Sequence, residues 1–192
     1  NPIVQKFFNK KNHSKQNTLI NKKYSNENSK LVELNKANLI SENLDLNKSI
    51  FHKLIKSKNF FLRRYFQHPI YNYSFFKSRT FNGVGVVRKV NVKGFIGWRI
   101  IDWYGDLEYF YKFCKLLVET ANQNNVAFLD LYVSGIRKEK LISTGLKKIS
   151  NSVVIPNHLE PLVLKNIKIS FVTSYKDDIF FIRGDGDQDR PS

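Results

Sequence analysis

Apolar and polar positions are patterned most sharply between Gly97 and Gly135. Gly97 to Tyr104, GWRIIDWY, is apolar and aromatic enough for a strand. Gly105-Asp106 breaks it, and Asp106 suits a helix N-cap. Leu107, Phe110, Cys114, Leu117, Val118 and Ala121 then share one face of a helix of about four to five turns. Asn122 to Asn125 is the exit turn. Val126 to Val133, VAFLDLYV, is apolar enough to be buried on both faces. Strand, helix and strand together predict a right-handed parallel βαβ crossover.

The flanks are read from the same signals. Ser49 is placed to cap a helix carrying Ile50, Leu54, Phe61, Leu62 and Tyr65, and His68-Pro69 ends it. Tyr71 to Phe76 and Gly83 to Val92 read as strands, and Asn82-Gly83 between them predicts an antiparallel hairpin. A charged helix follows from Arg137 to about Ser143 and stops at Thr144-Gly145. Ser152 to Ile155, Ile167 to Thr173 and Ile179 to Arg183 read as further strands. Leu31 to Leu46, with scattered leucines, reads as one or two short helices. Asn9 to Lys30 is dense in Asn, Lys and Ser and reads as a loop or mobile segment. The fold class is α/β (α+β), a mixed sheet with a central crossover and flanking helices. Residues 1–48 form a polar, partly flexible N-terminal segment, and 49–192 form the domain.

Composition adjusts this picture in a few places. The chain has 192 residues, 42% of them apolar, with 16 Phe and 9 Tyr to fill a core. It begins at Asn1 and contains no Met, so a processed or fragmentary sequence with material upstream is expected. The net charge is +16, but 14 Lys/Arg against 4 Asp/Glu fall within residues 1–66, away from the best-patterned region. With 24 Lys, 21 Asn and only 3 Ala, an AT-rich genome explains the bias better than a polyanion site. The single cysteine, Cys114, excludes an internal disulfide and fits a reducing compartment. No stretch approaches the roughly 18 apolar residues of a membrane span. A cytoplasmic protein is expected.

Candidate chemistry centres on two carboxylates in apolar strands. Asp102 stands near the C-terminal end of its strand and Asp130 inside the next, and ligands of open α/β sheets gather at those ends. A carboxylate there must be paired or perturbed, as a structural group or as a site. Trp98, Trp103, Tyr104 and Tyr132 either line a pocket or fill the core. His68, in HPIYNY, and His158, in IPNHLEP, suit a general base by their pKa, or are hydrogen-bonding loop residues. Cys114 lies on the apolar helix face and reads as core. No zinc-ligand spacing and no Ser-His-Asp arrangement is present. Asp185-Gly186-Asp187-Gln188-Asp189 opens like a calcium loop, but Arg190 replaces the required Gly and no closing Glu follows. A salt-bridged turn closed by Arg190 is expected, and no metal.

The order of hairpin, strand, helix, strand, short helix ending in Thr144-Gly145-Leu146 and further strands resembles the second half of the GNAT acyltransferase fold. More narrowly, RYFQHPIY (Arg64 to Tyr71), RIIDWYGD (Arg99 to Asp106), the FLDLYVSG strand and GDGDQDRP (Gly184 to Pro191) resemble a GNAT-like family of bacterial surface-polysaccharide and nucleotide-sugar gene clusters. The resemblance runs from about Phe60 to the end. It implies N-acyl transfer from acetyl-CoA or another acyl-CoA to an amino sugar or nucleotide sugar, and it admits a tandem GNAT-like domain upstream. The base would come from Asp102, Asp130 or His158. Tyr104, Gly105 and Asp106 would meet the cofactor, and His68, Tyr71, Trp103 and Tyr132 the substrate. GNAT enzymes rest the acyl-CoA pyrophosphate on amides at the start of the central helix, in a Q/R-x-x-G-x-G/A motif. Here Trp103-Tyr104-Gly105-Asp106-Leu107-Glu108 keeps one Gly and adds two carboxylates, which repel a pyrophosphate. The alternative is a non-catalytic GNAT-like module in a polysaccharide-synthesis complex. A basic nucleic-acid-binding protein is the second alternative, although nucleic acid is not the expected partner.

Overall fold

The ten residues of β5 (Phe95–Tyr104) are the axis of the sheet, buried from Gly97 onward apart from the half-buried Arg99. The structure is a computed structural model that describes residues 3–7, 30–35, 38, 56, 58–92, 94–149, 179–186 and 189, with 3–7, 58 and 92 described by backbone only. The first part of the helix expected from Ser49 to Tyr65 (residues 49–55 and 57), the strands at 152–155 and 167–173, and His158 lie outside the described residues.

β5 pairs on one side with β4 (Val84–Val92), antiparallel, and on the other with β6 (Phe128–Ser134), parallel. Between β5 and β6 runs α2 (Leu107–Gln123). The parallel βαβ crossover is therefore present within a residue or two of its expected bounds. β3 (Tyr73–Ser78) completes the expected hairpin with β4, and the short α3 (Lys138–Ile142) follows β6. Two pieces of the first 48 residues also belong to the sheet. β1 (Ile3–Phe7) pairs with β6 and with β7 (Lys147–Lys148), and β2 (Leu31–Leu34) pairs with β3. Leu31–Leu34 is thus a strand and not the start of a helix, because the open edge of β3 offers it a ladder. The order is β2-β3-β4-β5-β6-β1-β7, with β8 (Phe181–Ile182) also on β6, making an eight-stranded mixed sheet. Among the described residues no helix is long and apolar enough to cross a membrane.

One face of the sheet is covered by α2. Phe110, Phe113, Cys114, Leu117 and Ala121 are fully buried there against Trp98, Ile100, Trp103, Leu129 and Leu131. Gly85 of β4 makes this close approach feasible, since a Cβ there would overlap the ring of Phe113. The other face carries a smaller aromatic cluster. α1 (Lys58–Phe61) runs into a π turn, Leu62–Phe66, closed by Gln67 N–H on the Leu62 carbonyl at 3.1 Å. Phe61 and Tyr65 pack from it onto Phe75, Val84, Val86, Ile101 and Tyr104. Phe61 meets Tyr104 edge-on at 4.3 Å between ring centres.

β5 contains a bulge. Val86 faces Asp102 and Val87 faces Ile100, so Ile101 has no partner of its own on β4. Ile101 and Asp102 consequently both serve the face opposite α2, the first in the aromatic cluster and the second among its polar neighbours.

Candidate functional site

The face of the sheet away from α2 carries a buried layer of paired charges. Trp98 and Ile100 pack toward the helix, so Arg99 between them points the other way, as does Asp130 between Leu129 and Leu131. Pairing registers place Tyr73 beside Arg88, Arg88 beside Arg99, and Arg99 beside Asp130. Four strands thus contribute one cross-strand polar row. The C-terminal chain crosses it: β8 is followed by a single 3-10 turn, Arg183–Asp185, so Arg183 belongs to the turn and not to the end of the expected strand.

Asp102 is completely buried and its oxygens are in full use. Lys56 Nζ donates to them at 2.7 and 2.8 Å, the Tyr65 hydroxyl at 2.6 Å and the Trp103 N–H at 2.8 Å. A carboxylate offers about four lone-pair sites, so none is left here for a substrate proton. Lys56 also pairs with Asp185, which accepts the Ile182 N–H at 2.8 Å. Burial works against the Lys56 charge, but the two carboxylates outweigh it and its pKa lies above the usual 10.5. One ammonium serves two carboxylates. Burial, with the nearby Asp102 charge, pushes the Asp185 carboxyl up despite Lys56.

Asp130 is held by Arg99 Nε at 3.3 Å and by Arg183 Nη2 at 3.2 Å. Asp189 pairs with Arg88 at 2.9 Å and accepts the Tyr73 hydroxyl at 2.6 Å. Burial raises the Asp189 carboxyl, against the pull of Arg88. Burial lowers Arg99, and Arg183 and Arg88 add to this against the attraction of Asp130. The tail carboxylates therefore reach the sheet. Asp185 and Asp189 pair with Lys56 and Arg88. Arg190, expected to close a turn here, lies outside the described residues along with Asp187. No group of three or more His, Cys, Asp or Glu side chains that could hold a metal occurs among the described residues.

The other expected site residues divide among core, turn and polar layer. Trp103 is core: it is 1% exposed and packs on Phe113, and its indole N–H donates to the carbonyls of Gly105 and Asp106. It has no surface left for a substrate. Tyr104 is buried in the aromatic cluster, and burial raises its phenol pKa. Asp106 occupies the N-cap position, but its side chain makes no capping bond. Its carbonyl accepts the Tyr109 and Phe110 N–H groups, and Trp103 pins the same turn. His68 is a turn residue. Its Nδ1 accepts the N–H groups of Ile70 and Tyr71, and its ring stacks on Tyr71. Tyr71 lies against the Arg88 guanidinium at 3.9 Å, and Tyr132 lies beneath Arg183. Cys114 is fully buried core, and burial pushes its thiol up.

An open groove of about 730 Å³, lined by Val32, Lys77, Arg79, Phe81 and Tyr109 among others, contains none of these residues. The partners of the two strand carboxylates went unread in the sequence. Lys56 sits in a stretch of weak pattern, and Arg88, Arg99 and Arg183 look like the polar positions of half-buried strands. The available signal was that basic residues inside apolar runs require anions nearby. Compared with known proteins, the chain matches no family model, no curated protein and no solved structure.

Proposed function

We propose that the chain is a GNAT-like module of surface-polysaccharide synthesis that works within a larger assembly and does not turn over acyl-CoA. The observation that carries this reading is the place of its own C-terminal segment. β5 and β6 pair only from Gly97/Phe128 to Ile100/Leu131. Beyond that point β6 pairs with Ile182 and Phe181, and Gly184 lies against the Ile101 carbonyl and the Asp102 carboxyl. The C-terminal ends of parallel strands are where such sheets receive ligands. Here that ground is held by Phe181–Asp185.

Two further features agree. The entrance to α2 offers Asp106 and Glu108 where a pyrophosphate would need amides, and the Asp102 oxygens are fully bonded. The acyltransferase reading, with an acyl-CoA donor and an amino-sugar or nucleotide-sugar acceptor, requires Phe181–Asp185 to withdraw. Isothermal titration of the full chain with acetyl-CoA separates the two. The module reading expects no heat of binding at millimolar ligand. Saturable heat that inorganic phosphate does not compete away overturns it in favour of acyl transfer.

A further inference from the structure

Arg88 and Arg99 face each other directly across β4 and β5. Like charges in that position destabilise a sheet unless an anion lies between them. A third guanidinium, Arg183, arrives over the next strand and bonds Asp130. Three guanidiniums thus meet two carboxylates, Asp130 and Asp189. Asp102 and Asp185, the other buried carboxylates of the layer, are taken up by Lys56.

The hydrogen bonds tell the same story. Arg88 Nε and Nη1, Arg183 Nε and the Tyr132 hydroxyl are buried and have no hydrogen-bond partner among the described residues. Arg99 Nε approaches Asp130 without hydrogen-bond alignment. Native proteins rarely leave so many buried donors unmet, and an ion or water is a usual explanation. The donors are planar forks, which match carboxylate and phosphate oxygens two at a time. Arg88 and Arg183 are 7% and 4% exposed, while the Arg99 side chain is 23% exposed and gives the way in.

We propose that Arg88, Arg99 and Arg183, with the Tyr132 hydroxyl, form a binding site for the oxyanion of a ligand, a carboxylate or a phosphate. The site lies on the polar row and does not depend on whether acyl-CoA binds. The test is thermal unfolding and calorimetric titration of the full chain with inorganic phosphate and with acetate, against chloride at matched ionic strength. A saturable rise in Tm with phosphate or acetate beyond the chloride control is expected, and the more effective probe identifies the oxyanion. Arg99→Gln is expected to weaken that binding at least tenfold, and Tyr132→Phe severalfold. Tyr132→Phe carries the comparison if Arg99→Gln does not fold. A response to both probes no larger than to chloride, or binding unchanged in the folded variants, overturns the proposal.

Discussion

The Tyr65 hydroxyl donates to Asp102 Oδ2 at 2.6 Å, and this bond ties the π turn before the hairpin to the bulged end of β5. Tyr65→Phe is expected to cost about 1–3 kcal/mol, because it leaves a buried acceptor one donor short. Asp102→Asn is expected to cost about 3 kcal/mol or more, since the buried Lys56 then keeps only Asp185. Urea unfolding of the two variants checks the order. Equal midpoints would mean that Lys56 does not depend on Asp102.

Gly184 reports on the segment that fills the end of the parallel pair. A Cβ there would overlap the Tyr65 hydroxyl and stand 2.9 Å from the Ile101 carbonyl oxygen. Gly184→Ala is expected to cost about 1–3 kcal/mol by overpacking. It is also expected to speed amide exchange at Ile182, whose N–H is bonded to Asp185. Exchange no faster than in the parent protein would show that the segment is not seated against β5.

Lys56 and the phenols of Tyr65, Tyr73 and Tyr104 contribute to the alkaline limb of stability. Burial, reinforced by Asp102, holds the phenols of Tyr65 and Tyr104 above their ordinary 10.0. Burial and the bond to Asp189 do the same for Tyr73. Lys56, raised by its two carboxylates against the cost of burial, behaves alike. Each keeps in the folded state a proton that the unfolded chain releases. Their contribution is complete below about pH 10 and is lost as pH rises past it, at up to about 1.4 kcal/mol per pH unit for a group as buried as Tyr65. Urea midpoints measured from pH 8 to 11 should fall beyond pH 10, and Tyr65→Phe should flatten part of the fall. An unchanged midpoint at pH 11 would contradict this.

Cys114 is fully buried, with its thiol pushed up by desolvation. It should react with a thiol reagent only as fast as the protein opens. Adding urea to the transition region should therefore accelerate labelling many-fold. Prompt labelling in buffer alone would place the thiol at the surface.

The crossover was legible in the sequence because burial dictates composition there. β6 is covered on both sides and reads as a continuous apolar run, while α2 shows one clean stripe. Asp102 and Asp130 stood out for the same reason, as charges where apolar residues belong. What escaped reading was non-local. Nothing near Arg88 or Arg99 announces that the chain returns about ninety residues later to bring Arg183 and Asp189 beside them. The tail reads as a local turn because alternating Asp and Gly favour one. Its sequence does not announce that Asp185 and Asp189 reach Lys56 and Arg88 on the sheet. Phe113 was missed from the α2 stripe because its space is created by Gly85 on another strand.

Nine residues of β4 run alongside ten of β5, and the surplus residue is Ile101. A regular strand allots one side chain to each face in turn, so a single register position can fill the core or bind an ion, but not both. The bulge doubles that allotment at one point. Ile101 completes the aromatic cluster and Asp102 anchors Lys56 and Tyr65 from almost the same place on the sheet. Shortening β5 by that one residue would restore perfect alternation and force a choice between a filled core and an anchored charge. A seeming irregularity of the ladder is thus what lets a single strand edge meet two incompatible demands.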